Sequence, residues 1–433
     1  MEHRPPGVGR ALCDAAARRR ARGEAGREGA VRCPPARERP VATPTGRSFA
    51  PTAQRELAAM RRTIVCVTND LSTDNRVHRT CTVLQELGRH VLLVGRHLPG
   101  GAPLHRPYAT RRMRLLFRRG ALFYAEYNVR LFLLLFFTRC DLIVANDLDT
   151  LPAAHLVARL RGRKLVYDSH EYFTEVPELF RPDGRPRFAR RVWLALERRI
   201  FPRLRHIITV NDSIARAYRD RYGKPITVVR NIPMPQPLGA LPARTDLGLP
   251  EDRFTLVMQG SGINVERGGE EAVLAMRELP GCLLLLIGGG DAWPVLQRLV
   301  DEHGLHDRVR MLPRMPYVEM MAYTRHADLG LSLDKDTNLN YRYSLPNKLF
   351  DYFHAGIPAL VTDLPEVAGI VRKFGAGVVL PTADPAAIAA AVRALRADPA
   401  GMRALREKAK FAAASLDGAH EMGTLRTFFQ ALG

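Results

Sequence analysis

Residues 63–95 read TIVCVTNDLSTDNRVHRTCTVLQELGRHVLLVG. Two short apolar runs, TIVCVT and HVLLVG, flank an amphipathic stretch, VHRTCTVLQELG, whose apolar positions recur at helical spacing. Strand, helix and strand in that order form a crossover unit, and such units build parallel sheets with helices on both faces. The same rhythm continues outward through DLIVAN (141–146), KLVYDS (164–169), HIITVN (206–211) and PITVVRN (225–231). One doubly wound domain is therefore expected over 60–232. A stretch dense in Pro and Gly, 233–253, reads as a linker. The rhythm restarts at FTLVMQG (254–260), CLLLLIGGG (282–290), RVRMLP (308–313), ADLGLSL (327–333) and PALVTD (358–363), so a second α/β domain is expected over 254–413. The remainder, 414–433, reads as one amphipathic helix able to pack across either domain.

The 433 residues are enough for two such domains and an extension. Hydrophobic residues make up 46% and charged residues 25%, which is ordinary globular composition and excludes a wholly disordered or collagenous chain. The formal net charge of +21 favours anionic partners such as nucleotides, phospholipid headgroups or nucleic acid. Residues 1–59 are rich in Arg, Ala, Pro and Gly and cannot bury enough apolar surface to offset their ordering entropy. They read as a disordered basic extension, an organelle transit peptide, or sequence upstream of a start at Met60. They hold 12 of the 65 basic and 6 of the 44 acidic side chains, so most of the excess charge lies beyond them. The six cysteines are scattered, without a CxxC pair or zinc spacing, which points to a reducing compartment. No run reaches about 18 uncharged apolar residues and the N-terminus lacks a signal-type apolar region. The expectation is a cytoplasmic chain, soluble or peripheral on the inner face of a membrane.

Ligands of open α/β sheets bind beyond the carboxyl ends of the strands, so the loops there carry the candidates. TNDLSTDNRVHR (68–79) gathers Asn69, Asp70, Asp74, Arg76, His78 and Arg79, although Asp74 or Asn75 also suits a helix cap. In NDLDTLP (146–152), Asp147 and Asp149 have the form of a D-x-D metal pair, yet carboxylates two apart at a strand end more often cap the next helix. In DSHEYFTEVPEL (168–179), His170 and Glu171 follow a strand directly and are placed for hydrogen bonding or acid/base work. QGSGINVERGGEE (259–271) offers Gly260 and Gly262 for close backbone approach to an anion and Arg267 as a fork of donors, and IGGGD (287–291) adds Gly289. In YRYSLPNKLFDYFHAGIP (341–358), Ser344 or Pro346 opens a helix whose free N–H groups suit a phosphate, and Lys348 and Asp351 share one face of it.

With Arg267-Gly268 and DSHE at 168–171, the segment SLPNKLFDYFHAGIPALVTDLPE (344–366) resembles the nucleotide-sugar-dependent glycosyltransferases of family 4, the retaining GT-B group. The resemblance covers about 60–415. It implies two Rossmann-like domains facing across a cleft, a nucleotide-sugar donor held mainly by the second domain, and no metal or other cofactor. Carried over residue by residue, Arg267 and Lys348 would hold the diphosphate, Asp351 the ribose hydroxyls, and the turn at Gly260–Gly262 the phosphate or sugar, with Gly289, Tyr343, Ser344 and Asn347 around the donor. The family usually carries two glutamates eight apart; here the second is Asp351 and the first position is Tyr343, leaving Asp336, Asn340 or Arg342 as replacements. Where many relatives place a His after the strand matching DLIVA, this chain has Asn146 and Asp147, so His170, Glu171 and Asp147 become the catalytic candidates. Retention in this fold is generally described as same-face attack assisted by the leaving phosphate.

The stretch 111–139, RRMRLLFRRGALFYAEYNVRLFLLLFFTR, sets clustered arginines beside a Leu-rich and aromatic helix. It reads either as a basic helix lying on an anionic membrane surface or as a buried sheet-covering helix. The first reading implies a lipid-linked acceptor and the second a soluble saccharide. The alternatives are a nucleotide-sugar epimerase of the same shape and a non-catalytic GT-B scaffold. Specific nucleic-acid binding is disfavoured, because the Arg-rich extension has one aromatic residue, Phe49, to stack on bases.

Overall fold

The computed structural model describes residues 61–69, 71, 74–98, 104–181, 183–234, 236–260 and 262–433; the extension 1–59 and Asp70 lie outside the described residues. The first sheet contains β1 (Arg62–Cys66), β2 (His90–Arg96), β3 (Ala109–Met113), β4 (Leu142–Asn146), β5 (Lys164–Ser169), β6 (His206–Thr209) and β7 (Thr227–Val228). Its spatial order is β3-β2-β1-β4-β5-β6-β7. The second contains β8 (Phe254–Gly260), β9 (Cys282–Gly288), β10 (Val309–Pro313), β11 (Leu329–Ser332), β12 (Ala359–Thr362) and β13 (Gly377–Leu380), in the order β10-β9-β8-β11-β12-β13. Pairing is parallel throughout both sheets. Each sheet is doubly wound, and strand order reverses between β1 and β4 and between β8 and β11, which is where such folds open a crevice for ligand.

Near-continuous apolar strands follow from burial on both faces. In β1, Ile64 and Cys66 pack into the layer formed with helices Gly120–Phe137 and Leu151–Arg161, while Val65 faces helix Asn75–Glu86 and the end of the chain. The second sheet repeats this plan, with Leu284 and Leu286 on one side and Leu283 and Leu285 on the other. Four described cysteines, Cys66, Cys81, Cys140 and Cys282, are buried free thiols.

Two edge strands, β3 and β13, fall outside the apolar runs named from the sequence. Residues 109–113, ATRRM, bury only Met113, so the arginines taken as the start of a basic helix in 111–139 lie partly on β3; the helix itself is Gly120–Phe137. An edge strand tolerates charge because half of it faces water. The other is β13, whose Gly377 lies so close to β12 that a Cβ there would sit 1.9 Å from the Ala359 carbonyl oxygen.

Two helices end the chain, and the segment 414–433 forms the last of them. Pro399–Ser415 stays with the second domain, and Gly418–Gln430 crosses back to the first. There Leu425, Phe429 and Leu432 join the layer of Val65, Val91 and Leu93, and Glu421 accepts the Arg230 N–H at 2.7 Å. The domains also meet across the cleft. Tyr172 N–H donates to Asn340 Oδ1 (3.1 Å), Asn211 Nδ2 to the Tyr343 carbonyl (2.6 Å), and Ser213 N–H to Glu366 Oε1 (2.7 Å).

Candidate functional site

The loops after β1, β2, β5 and β6 of the first domain face the loop after β8 and the segment 340–347, which follows β11, of the second across a cleft of ≈ 670 Å³. His170, Glu171, Arg267, Asn340, Tyr343, Ser344 and Asn347 line it, together with Asn69, Arg76 and Arg96.

On the first-domain side, Asp147 adopts φ 59°, a left-handed conformation uncommon for a residue with a Cβ. That turn brings its Oδ1 to the His170 backbone N–H at 2.8 Å and its Oδ2 to His170 Nδ1 at 3.4 Å. The other ring nitrogen, Nε2, lies 3.4 Å from Asp168 Oδ2 and makes no hydrogen bond. Asp168 is anchored in turn by Arg76, whose Nη2 donates to its Oδ1 at 2.6 Å while Nη1 holds the Val229 carbonyl. Burial pulls the His170 imidazole down, but the carboxylates on either side outweigh it and raise its pKa to about 9. His170 is thus held between Asp147 and Asp168, whose fields favour its protonated form. Asp149 accepts from Thr68 Oγ1 at 2.5 Å and is pushed up to about 7 by burial and by Asp147. Glu171 is raised to about 8 by burial and by Asp147, Glu178 and Asp149; Asn340 Nδ2 reaches it at 3.4 Å. Asp147 and Asp149 thus serve different partners.

On the second-domain side, Arg267 and Lys348 converge on one buried carboxylate that the sequence reading missed. Asp334, just beyond β11, accepts from Arg267 Nη1 at 3.0 Å and lies 3.9 Å from Lys348 Nζ. The Arg267 guanidinium stacks over Tyr341 at 4.1 Å from the ring centre. Burial lowers the Lys348 pKa and Asp334 opposes that shift. Helix Asn347–His354 starts beside them, preceded by Pro346 and without a side-chain cap, so its first N–H groups are available to an anion. The buried Ser344 hydroxyl has no hydrogen-bond partner.

Other sequence candidates stand elsewhere. Gly260, Gly262 and Gly289 do not line the cleft; the loops after β8 and β9 lie against each other, with Ile263 N–H donating to the Gly289 carbonyl at 2.8 Å. A Cβ on Gly288 would lie 1.8 Å from the Gly260 carbonyl oxygen, so loop packing alone accounts for a glycine there. Lys348 and Asp351 are not among the lining residues either; Asp351 accepts from Tyr317 at 3.0 Å and Gln259 at 3.1 Å, and burial raises it to about 6. Asp74 caps its helix through the Val77 N–H, and Asn146 holds the Cys66 carbonyl. A strand-end signal exists for Asp334, which follows ADLGLSL at the point where strand order reverses.

Two family models match the chain: Glycosyltransferase Family 4 over residues 74–232 and Glycosyl transferases group 1 over residues 243–412. The lipopolysaccharide core biosynthesis glycosyltransferase LpsD of Rhizobium meliloti is 29% identical over 199 residues, 46% of this chain and 53% of LpsD. The chain thus spans about half the length of that curated relative. Among solved structures, a sucrose-phosphate synthase of Thermosynechococcus elongatus matches with TM-score 0.68 and 19% identity, over 86% of this chain and 99% of that one. Anabaena HepE, solved in complex with UDP-glucose, matches with TM-score 0.62 and 14% identity over 86% and 99% of the two chains. These likenesses establish the fold as two Rossmann-like domains in the GT-B arrangement.

Proposed function

This chain belongs to the group 1 glycosyltransferases, and on that premise we propose that it transfers a sugar from a nucleotide-sugar to a saccharide or lipid-linked acceptor in the assembly of lipopolysaccharide or a related surface polysaccharide. The observation that carries the reading is the convergence of Arg267 and Lys348 on Asp334 beside the start of an uncapped helix, with Arg267 and His170 lining the same cleft. A donor diphosphate would compete with Asp334 for both cations and receive N–H groups from the helix, which stabilises the charge of the departing nucleotide. That charge is met without a metal or other cofactor. His170, fixed by Asp147, would lie beside the transferred sugar. In a retaining, same-face displacement the leaving phosphate takes the acceptor proton, so no strong protein base is needed. Asp351 would reach the ribose only on exchanging its present partners.

LpsD, named for lipopolysaccharide core synthesis, and HepE, solved with UDP-glucose, support this substrate class. The outer face of helix Gly120–Phe137, with Leu122, Val129, Leu133 and Phe137 exposed, together with the nearby Arg118 and Arg119, supports docking on the cytoplasmic face of an anionic membrane. Among the described residues this is the one helix long and apolar enough to cross a membrane, but its other face packs Tyr127, Leu131 and Leu135 into the first domain. The grouping of Asp147, Asp149 and Glu171 is the observation favouring a second reading, an epimerase acting on the same donor.

Calorimetric titration with UDP, GDP, ADP and their sugar conjugates, with and without magnesium, tests the proposal. Metal-independent binding of one nucleotide, weakened roughly tenfold or more in Lys348→Ala, is expected, in line with loss of a charge-assisted contact. Absence of binding to all of them by folded protein counts against it, and sugar isomerisation without transfer favours the epimerase.

A further inference from the structure

We propose that the pocket beside the donor cleft, on the first-domain side, is the acceptor site, and that it takes a saccharide bearing a phosphate or diphosphate. This rests on the transferase reading above. The pocket encloses ≈ 420 Å³ and shares Asn69, Arg96 and Glu171 with the cleft, so a group bound in one abuts a group bound in the other.

Its lining has two opposed chemistries. Asp147, Asp149 and Glu171 supply carboxylate oxygens suited to sugar hydroxyls. Asp149 is 6% exposed, and its Oδ1 has no hydrogen-bond partner. Such a buried acceptor calls for a donor from a ligand or water. Phe123 and Tyr124 provide ring surface beside them. Arg96, Arg118 and Arg119 supply the opposite charge. The Arg96 guanidinium lies 5.0 Å from the centre of the Phe123 ring, and its buried Nε has no partner. Arg118 and Arg119 are exposed and pair with no carboxylate among the described residues, unlike Arg130, which is held by Glu126. Gly120, which begins the 18-residue helix Gly120–Phe137, also lines the pocket, and that helix start has no side-chain cap.

A neutral oligosaccharide would use the carboxylates and leave two adjacent guanidinium groups and a helix start unmatched. A bare phosphate would match the arginines and leave the carboxyl groups, including the unpartnered Asp149 Oδ1, without a donor. A sugar with a phosphate attached satisfies both ends at once. Leu116, Phe117 and Leu122, exposed beside the arginines, extend the rim toward an apolar chain, so the phosphate can belong to a lipid-linked diphosphate or to a phosphorylated soluble saccharide.

The test titrates full-length protein in saturating UDP with inorganic pyrophosphate, glucose 1-phosphate and farnesyl diphosphate, with maltose as the uncharged control. The series is repeated in Lys348→Ala, so that the donor clamp does not contribute. Phosphate-bearing probes should bind at least about tenfold more tightly than maltose, and Arg118→Glu with Arg119→Glu should weaken them roughly tenfold, while UDP affinity stays within about twofold. Farnesyl diphosphate exceeding pyrophosphate marks a lipid-linked acceptor; glucose 1-phosphate exceeding both marks a phosphorylated saccharide. Phosphate probes that bind no better than maltose, or that bind the double variant as well as the wild type, overturn the proposal. Loss of UDP binding with intact pyrophosphate binding instead sinks the donor reading alone.

Discussion

His170 takes its properties from three neighbours rather than from its own chemistry. Asp147, turned into the left-handed region, and Asp168, braced by Arg76, hold the ring from both sides and raise its pKa from 6.5 to about 9. A raised folded-state pKa means the protonated ring stabilises the fold fully below pH 6.5, and that contribution fades as the pH climbs to about 9. The shift corresponds to a contribution on the order of 3 kcal/mol. Melting temperatures measured from pH 6 to 10 should therefore fall more steeply for wild type than for His170→Gln across that window; parallel profiles would show that the ring is not charged in the native state. His170, Glu171 and Arg267 stand out in the sequence as polar side chains beyond strand ends, and the structure places all three on the cleft. Asp334 was not legible, since its meaning depends on two cations brought to it from distant parts of the chain. The glycines of 260–262 and 289 were legible as turn formers, but only the packed loops show that backbone approaches backbone there.

Among the elements, the last helix tests how the first domain is completed. Phe429 is 1% exposed and Leu425 4%, both against the β1 and β2 layer, although they follow the second domain in sequence. Phe429→Ala should destabilise the first domain by about 3–5 kcal/mol, as expected for a fully buried aromatic side chain. Urea unfolding followed by a probe in each domain would check this, and a change below about 1 kcal/mol would mean the helix is dispensable to that core. The amphipathic period of 414–433 announced a helix but not its destination, because either domain offers an apolar face. Strand β3 was missed for the complementary reason: pairing on one edge needs no apolar run, so ATRRM carries no period to read.

In the whole molecule, charge and apolar surface coincide on the first domain around 111–139. Flotation or sedimentation with vesicles containing anionic lipid should show binding that weakens as salt rises, since an attraction to a charged surface is screened within about 10 Å at 0.1 M salt. Substituting Leu133 and Phe137 by Ser should reduce binding severalfold; indifference to lipid charge at low salt would assign the apolar face to another partner. The chain itself determined the layered α/β plan, the duplication and most central strands, because burial on both faces of a parallel sheet demands runs that local patterning records. Only the tertiary structure decided that Arg267 and Lys348 share Asp334, that His170 sits between Asp147 and Asp168, and that the last helix closes the first domain. Those outcomes depend on distances between segments far apart in sequence, where burial and the electric field of neighbours, rather than residue type, set what each group does.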